Sequence, residues 1–504
     1  MHSKEQAAQP QSNGENGNHA KVRKTIPIDL EPSKRFVLPS KKRYEPQYAH
    51  IYFCRLTALR PALESTARVI FGPPSDKLHH AKRIVNVSSE GANERETVII
   101  GVVFRQMTKP SILALYEQAS HDLIPAPPPR ATAPYPGADD TVFLEDENGR
   151  CTLDMSGFDQ IPDAFVTGFV VAVKGKEDHL KGTFKVGSFT PVLAAPQPTL
   201  KPYEEDAYIC IVSSLCLPQP SFGVELLGEF LKGNTLEEDE AFAMNTVALV
   251  ITGNVIGHVS DTPTHQPLAV GEKERIASPM VDADRFLSGV ASTLPVFYMP
   301  GEHDATNYLL PQQAVNRCLL PSASRNSNFH RVPNPLLCEM AGRSLLATSG
   351  QNVEDFALYA AESAKDQQND NQMLERDPVN KGMYEADGER VLEIMGNMLK
   401  NRHIAPTCPD TLGSYPFYER DPFVIERTPH IFVVGNQKEF GARRIRVSTE
   451  GSQSSDEGMI VEGEICGTVC LVSAPRFDKS GQAVFVNLRN MECCVREFAV
   501  DMQM

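Results

Sequence analysis

Three residue types that can do acid-base or metal-ligand chemistry stand together as Glu302, His303 and Asp304. They follow an apolar run at 295–299, which is typical of a buried strand and is broken by a Pro-Gly pair. In an α/β sheet, the carboxyl end of a strand is where sites are built. The triplet could supply a general acid-base pair, but no nucleophile motif, Walker loop or Gly-rich dinucleotide turn accompanies it. The simpler interpretation is that these groups tie a loop by hydrogen bonds.

Polar residues at other strand ends follow an order of blocks that resembles the dinuclear metallophosphoesterases. That family holds two divalent ions between carboxylates, imidazoles and an amide, so that the ions clamp a phosphate and activate a water. At the first block, Ser213 and its neighbours offer neither a carboxylate nor an imidazole. At the second, Asn254 places a neutral amide where a bridging carboxylate is required.

The later blocks also depart from the metallophosphoesterase pattern. The third block keeps the pair His303 and Asp304 but carries Glu302 where an amide ligand belongs. The last replaces both histidines, with Asn436 and Lys438. A lysine and two amides argue against a dinuclear centre. We therefore predict a degenerate site with no catalytic residue, no metal and no cofactor.

Two histidines have no place in these blocks, His258 and His403. Each is interpreted first as a structural histidine with its hydrogen bonds satisfied. The alternative is an active metallophosphoesterase or nuclease that recruits replacement ligands, and these two residues with 302–304 form the only economical set. A structure in which these side chains are scattered would remove that alternative.

From about residue 196 the chain alternates apolar strands with amphipathic helices. Strands are predicted at 207–217, 246–252, 344–348 and 430–434, and the chain closes with hairpin-like strands. Repeated strand-turn-helix units indicate a layered α/β sandwich, so residues 196–504 are predicted to be one domain. Three polar segments read as mobile surface insertions, at 261–274, 362–388 and 451–458.

Residues 44–195 are predicted to form a smaller domain, with one or two N-terminal helices followed by five or six short strands. So many short strands fit a closed barrel, with the OB-fold as the leading candidate. Such barrels bind single-stranded nucleic acid by stacking bases on aromatics beside basic residues. Here the aromatics alternate along strands without a basic stripe, which favours a core role for Phe104, Phe143, Phe165, Phe169, Phe184 and Phe189.

The length, net charge and cysteine content of the chain narrow the possible classes of protein. A chain of 504 residues is too long to fold around a single hydrophobic core, so two or more domains are expected. A net charge of −15 disfavours autonomous tight binding to DNA. The 11 cysteines lack C-x-x-C spacing, which indicates reduced thiols in an intracellular protein. The sequence shows no signal peptide and no membrane span, so a soluble protein is predicted. Residues 1–43 are polar and then basic, which predicts a disordered tail that could carry a nuclear localisation signal.

Four blocks, at 300–313, 348–356, 401–425 and 429–445, together resemble the B-subunits of the eukaryotic replicative DNA polymerases, most closely the polymerase delta branch. The resemblance implies an OB-fold β-barrel followed by an inactivated calcineurin-like phosphodiesterase α/β sandwich. It also implies a non-catalytic accessory subunit that works in the nucleus in DNA replication and repair synthesis. The tail and the three insertions are departures from the family pattern.

The resemblance further implies partners. Members of the family hold the cysteine-rich C-terminal domain of the catalytic subunit, here that of polymerase delta, and bind a third subunit of the complex. They reach the sliding clamp and DNA indirectly, and the expected assembly is a hetero-oligomer away from membranes. The alternative within the family is a B-subunit of polymerase alpha or epsilon.

Overall fold

The structure is a computed structural model that describes residues 23–84, 95–107, 135, 140–178, 180–217, 222–257, 270–359, 387–447 and 467–499. No helix within these ranges is long and apolar enough to cross a membrane. The helices are α1 (His50–Phe71), α2 (Phe222–Lys232), α3 (Glu237–Asn245), α4 (Val270–Ala291), α5 (Gln351–Tyr359), α6 (Gly388–Lys400) and α7 (Phe477–Ser480). The strands are β1 (Ile28–Asp29), β2 (Leu78–His80), β3 (Glu96–Gln106), β4 (Thr141–Glu145), β5 (Arg150–Asp154), β6 (Val170–Asp178), β7 (Thr183–Thr190), β8 (Tyr208–Val212), β9 (Thr246–Thr252), β10 (Val296–Met299), β11 (Phe329–Arg331), β12 (Leu336–Met340), β13 (Arg343–Thr348), β14 (Ile431–Gln437), β15 (Gly441–Val447), β16 (Gly467–Pro475), β17 (Gln482–Asn487) and β18 (Cys493–Glu497).

Five strands between residues 96 and 190 form a closed barrel. Strands β3, β4, β5, β7 and β6 pair in that order, and β3 closes the ring by pairing with β6, while β2 lies parallel beside β3. The length of β3 allows this, since its first half pairs with β6 and its second half with β4. Helix α1 covers the outer face of β3 and β6 through Leu56, Leu59 and Leu63. Both faces of β3 are therefore buried, which explains its nearly continuous apolar sequence.

The aromatic residues of the barrel fall into two groups. Phe165, Phe169 and Phe184 are fully buried, as their predicted core role requires. Phe104 and Phe143 are half-buried on adjacent strands, and the Arg150 guanidinium lies 5.2 Å and 4.8 Å from their ring centroids. Phe189, also half-buried, packs edge-on against Phe165.

Two six-stranded sheets stack on each other, built from strands between residues 208 and 497 and from β1 near the start of the chain. The first sheet has the order β11-β10-β9-β8-β17-β18, and the second sheet has the order β1-β12-β13-β14-β16-β15. Apolar side chains of both sheets meet between them, including Ile211, Val250, Phe297, Val433 and Val472. Helices α2 and α4 cover the outer face of the first sheet, and α5 and α6 that of the second. The chain thus has a two-domain α/β fold whose second part is a layered sandwich.

The parallel pairing within both sheets brings several strand ends to one edge. Strands β8, β9 and β10 are parallel to each other, and so are β13, β14 and β16. The carboxyl ends of β8, β9, β10, β13 and β14 therefore lie near one another across the two sheets. This is the edge that the polar blocks of the sequence predict as a site.

The prediction of a disordered tail over 1–43 is wrong for residues 23–43. Ile28 and Asp29 pair with β12, and the Ser33 hydroxyl bonds to both backbone groups of Leu337, at 2.9 Å and 2.8 Å. Phe36 is buried. Few but well-placed apolar residues cover the edge of the second sheet, where an exposed strand would otherwise invite pairing with another chain. The remainder of the predicted tail, residues 1–22, is outside the described residues.

The predicted insertions are largely outside the described residues as well. The segment 451–458 is wholly outside them. Helix α4 begins at Val270, so the last five positions of the segment 261–274 are helical. Helix α6 begins at Gly388, the last position of the segment 362–388, and Asp387 caps it by accepting a hydrogen bond from the Arg390 N–H.

Candidate functional site

Four of the predicted site residues meet at the shared edge of the two sheets. Ser213 follows β8, Asn254 follows β9, Asp304 follows β10, and Asn436 lies in β14. All four are at most 9% exposed. We call them the strand-end cluster.

Asn436 joins the two sheets at the centre of this cluster. Its amide nitrogen donates to the carbonyl oxygens of Ser349, at 2.7 Å, and Thr252, at 3.2 Å. Its amide oxygen accepts from the Ser214 hydroxyl at 2.7 Å, and its backbone N–H donates to the Ser213 hydroxyl at 2.9 Å. A φ of 59° places Asn436 in the left-handed region, which asparagine tolerates better than most residues. Asn436 thus acts as a hydrogen-bonded bridge between the sheets.

Asp304 is the one carboxylate of the strand-end cluster. Its two oxygens accept backbone N–H bonds from Asn254 at 2.8 Å, Gly301 at 2.8 Å and Ile256 at 3.0 Å. Complete burial raises the pKa of Asp304, and these N–H groups oppose part of that rise. The carboxylate therefore fastens the loop after β9 to the loop after β10.

Gly301 allows these two loops to approach each other. A Cβ at this position would lie 2.5 Å from the Asn254 side-chain oxygen and 2.7 Å from its backbone nitrogen. The sequence suggests Gly301 as the residue that permits a sharp turn, yet its φ does not lie in the left-handed region. Close backbone packing, and not a left-handed turn, requires glycine here.

The other three predicted site residues are less buried than the strand-end cluster. The side chains of His303 and Lys438 are exposed, and Glu302 is half-buried. His303 contributes to the cluster through its backbone N–H, which donates to the Asn254 side-chain oxygen at 3.1 Å. His303 and Asp304 are thus neighbours in sequence, but the side chain of His303 is exposed and that of Asp304 is buried.

A second set of polar side chains completes the buried edge. The Asn334 amide lies 2.8 Å from the Gln312 oxygen, 2.7 Å from the Ser349 hydroxyl and 2.9 Å from the Gln351 oxygen. Gln312 also donates to the Gly301 carbonyl at 3.0 Å, which connects this set to the strand-end cluster. We call these four residues the amide cluster. Gln312 and Gln351 lie in two of the blocks that resemble the polymerase family, but their separation along the chain gives no sign that they meet.

His403 lies in a different environment, fully buried between the barrel side and the sandwich. Its Nε2 is 2.8 Å from Asp421, and its Nδ1 accepts from the Ala405 N–H at 3.2 Å. Arg55 of α1 contacts the same Asp421 oxygen at 2.7 Å. Both ring nitrogens of His403 are therefore hydrogen-bonded inside the fold, as expected for a structural histidine, while His258 is outside the described residues.

Acid is expected to weaken the fold through His403. Burial and the nearby Arg55 charge lower the pKa of His403 to about 4, below the value of about 6.5 expected for an unfolded chain. The unfolded chain then binds the proton more readily. The stability that neutral His403 contributes is thus complete above about pH 6.5 and is lost as the pH falls toward 4.

Urea unfolding followed by circular dichroism at several pH values between about 7 and 4 checks this prediction. His403→Gln should flatten the fall in unfolding free energy, and His50→Gln, at an exposed position on α1, should leave it unchanged. Equal slopes for wild type and His403→Gln would contradict the prediction.

The buried side chains of the strand-end cluster and the amide cluster offer one carboxylate, amides and hydroxyls, most of them bonded to each other or to the backbone. In the described part of the chain, no three His, Cys, Asp or Glu side chains are grouped so that they could hold a metal ion. These groups thus connect the loops and the two sheets by hydrogen bonds.

Comparisons with known proteins address the family. A family model for the B-subunit of DNA polymerase alpha/epsilon matches residues 209–442, and one for the OB-fold domain of the DNA polymerase delta subunit matches residues 47–189. The DNA polymerase delta small subunit of Oryza sativa subsp. japonica is 34% identical over 472 residues, covering 92% of this chain and 96% of that protein.

Two further relatives carry the same description. The DNA polymerase delta small subunit of Arabidopsis thaliana is 33% identical, covering 92% of this chain and 94% of that protein. That of Saccharomyces cerevisiae is 28% identical and covers 91% of both chains. Such similarity extends over nearly the full length of each protein. This chain therefore belongs to the family of DNA polymerase delta small subunits.

Proposed function

We propose that this chain is a non-catalytic accessory subunit of a DNA polymerase delta complex. The family assigned above supplies the complex, and the observation that carries the non-catalytic role is the bonding of Asn436, whose side-chain nitrogen and oxygen are hydrogen-bonded to Ser349, Thr252 and Ser214. In an active phosphodiesterase the same strand end would supply a metal ligand. A neutral side chain already bonded on both sides is poorly suited to that role.

The proposed architecture is an OB-fold barrel followed by an inactivated calcineurin-like sandwich, with boundaries at 44–195 and 196–504. The ring closed by β3 and β6 supports the barrel assignment. The strand-end cluster supports inactivation, because one carboxylate held by three backbone N–H groups does not suit a dinuclear centre. Residues 23–43 are assigned to the sandwich, because β1 pairs with β12.

Absence of hydrolysis is the first expected result. Purified full-length chain incubated with Mn²⁺ and a generic phosphodiester should show no turnover above a buffer control, and metal analysis should find less than one ion per chain. The enzyme alternative makes the opposite prediction. Two divalent ions per chain, with turnover abolished by His303→Ala and retained in His50→Ala, would overturn the proposal.

The proposed partners are the cysteine-rich C-terminal domain of the polymerase delta catalytic subunit and a third subunit, in the nucleus. The sliding clamp and DNA would be reached through them. The net charge of −15 supports a scaffold that does not grip DNA by itself. Exposed aromatic residues near the start of α1, Tyr48 and Phe53, also suit a protein that is buried in a larger complex.

Affinity purification of the tagged full chain from its own cells, followed by mass spectrometry, tests the partner assignment. We expect the polymerase delta catalytic subunit to be recovered in stoichiometric amount, and the recovery to resist nuclease treatment. Recovery of a primase-associated polymerase in its place would overturn the assignment in favour of polymerase alpha.

A further inference from the structure

Two cysteines from different sheets face each other at the open edge of the sandwich. The sulfur of Cys470, in β16 of the second sheet, lies 3.5 Å from the sulfur of Cys493, in β18 of the first sheet. Cys470 is buried, and Cys493 is partly exposed. The two thiols are therefore in contact, and one of them is reachable from solvent.

Strand register explains why Cys493 takes part and its neighbour does not. Cys493 pairs with Val486, whose side chain lies in the core between the sheets, and Cys493 packs against that core. Cys494 pairs with Phe485, which belongs to the core on the opposite face. Since successive side chains of a strand point to opposite faces, Cys494 is directed away from Cys470.

The surroundings favour one negative charge on this pair. Arg444 is the register partner of Cys470 in β15. Contact with the Cys493 thiol, together with the Arg444 charge, lowers the pKa of Cys470. The same sulfur contact raises the pKa of Cys493. A thiolate shared across the contact is the reactive form of a thiol pair.

We propose that Cys470 and Cys493 are an oxidation site that peroxide converts into a disulfide bond within the chain. The Cys470 thiolate attacks one oxygen of a peroxide that enters past the partly exposed Cys493. The O–O bond breaks, hydroxide leaves, and Cys470 carries a sulfenic acid. The hydroxide takes the proton of the Cys493 thiol, the resulting thiolate attacks the Cys470 sulfur, the S–O bond breaks, and a second hydroxide leaves.

The reaction is balanced without any further reagent. Two thiols and one peroxide give one disulfide and two waters, because the protons released by the thiols neutralise the two hydroxides. The two electrons lost by the sulfurs reduce the peroxide. The product links β16 to β18, and so fastens the second sheet to the first at an edge that hydrogen bonds between strands do not join.

The test uses the full chain purified with its partner subunits. The complex is treated with hydrogen peroxide, remaining thiols are blocked with N-ethylmaleimide, and a non-reducing digest is analysed by mass spectrometry. We expect a peptide pair joined through Cys470 and Cys493, removed by dithiothreitol. Oxidation should also raise the melting temperature of the wild type, because a crosslink restricts the unfolded chain.

Variants separate the roles of the two sulfurs. C493S should retain a sulfenic acid at Cys470 that dimedone traps once the protein is unfolded, and C470S should abolish the crosslink. C494S is the matched control and should leave the crosslink unchanged. A crosslink through Cys494, or alkylation of both Cys470 and Cys493 under conditions that oxidise the exposed Cys318, would overturn the proposal. The wild-type result requires no variant, so the test holds even where a serine variant does not fold.

Discussion

Arg55→Ala is expected to lower the unfolding free energy of the full chain by about 3–5 kcal/mol, as removal of one partner of a buried ion pair typically does. The side chains of Arg55 and Asp421 are both fully buried, and their Nε to Oδ2 distance is 2.7 Å. Without the guanidinium, Asp421 would remain inside the protein with His403 as its neighbour. An uncompensated buried charge is the main cost.

The remaining contacts of Arg55 add to this effect. Its guanidinium donates to the carbonyl oxygens of Gly168 in the barrel domain and Pro406 in the sandwich domain, both at 2.7 Å, and to that of Cys408 at 3.0 Å. One side chain of α1 therefore holds both domains. We expect Arg55→Lys to be destabilising too, because an ammonium cannot reproduce the planar set of donors.

Far-UV circular dichroism during urea unfolding is the suitable measurement, since the chain has no tryptophan. Arg60→Ala is the matched control, five residues further along α1, and its partly exposed pair with Glu147 is expected to contribute less than about 1 kcal/mol. A double-mutant cycle of Arg55→Met with Asp421→Leu should show strong coupling. Equal losses of unfolding free energy for Arg55→Ala and Arg60→Ala would show that the buried ion pair stabilises the fold no more than an exposed one.

This ion pair also shows what a single sequence leaves out. The periodicity of apolar residues predicts α1, and Asp421 lies in the block 401–425 that resembles the family. Arg55 and Asp421 are 366 positions apart. Nothing in their local sequence indicates that an arginine on an otherwise amphipathic helix is buried, because that burial depends on how two domains dock.

The strand-end cluster was more accessible to prediction, for a physical reason. Each apolar run marks a strand, and parallel strands must bring their carboxyl ends to one edge. That rule correctly brings Ser213, Asn254, Asp304 and Asn436 together. It does not say which of these side chains become buried, so it also predicts His303 and Lys438 as site residues, although both are exposed.

The prediction of disorder over residues 1–43 is wrong for part of the segment because it relies on an average composition. Composition averaged over 1–43 is polar and basic, which indicates disorder. A short stretch can nevertheless be ordered by one pairing and one buried ring, as β1 and Phe36 are. An average composition does not show such local contacts. Their role becomes clear only from the fold, in which they cover the edge of β12.

Asp304→Ala is expected to be nearly as damaging as Arg55→Ala, with a loss of about 3–5 kcal/mol, because a buried N–H left without an acceptor costs about 1–3 kcal/mol. Three such groups, on Asn254, Gly301 and Ile256, lose their acceptor together. The loops after β9 and β10 would then separate or admit water, and the strand ends of the first sheet would lose their connection.

Graded variants distinguish this bracing role from chemistry. Asp304→Asn keeps one oxygen acceptor, so its loss should be smaller, about 1–3 kcal/mol. His303→Ala changes an exposed side chain and should remain within about 1 kcal/mol of the wild type. A catalytic pair would give a different order, with His303→Ala and Asp304→Ala both removing an activity while the folded state stays intact. If circular dichroism and urea unfolding gave the same stability for all three variants, the carboxylate would not brace these loops.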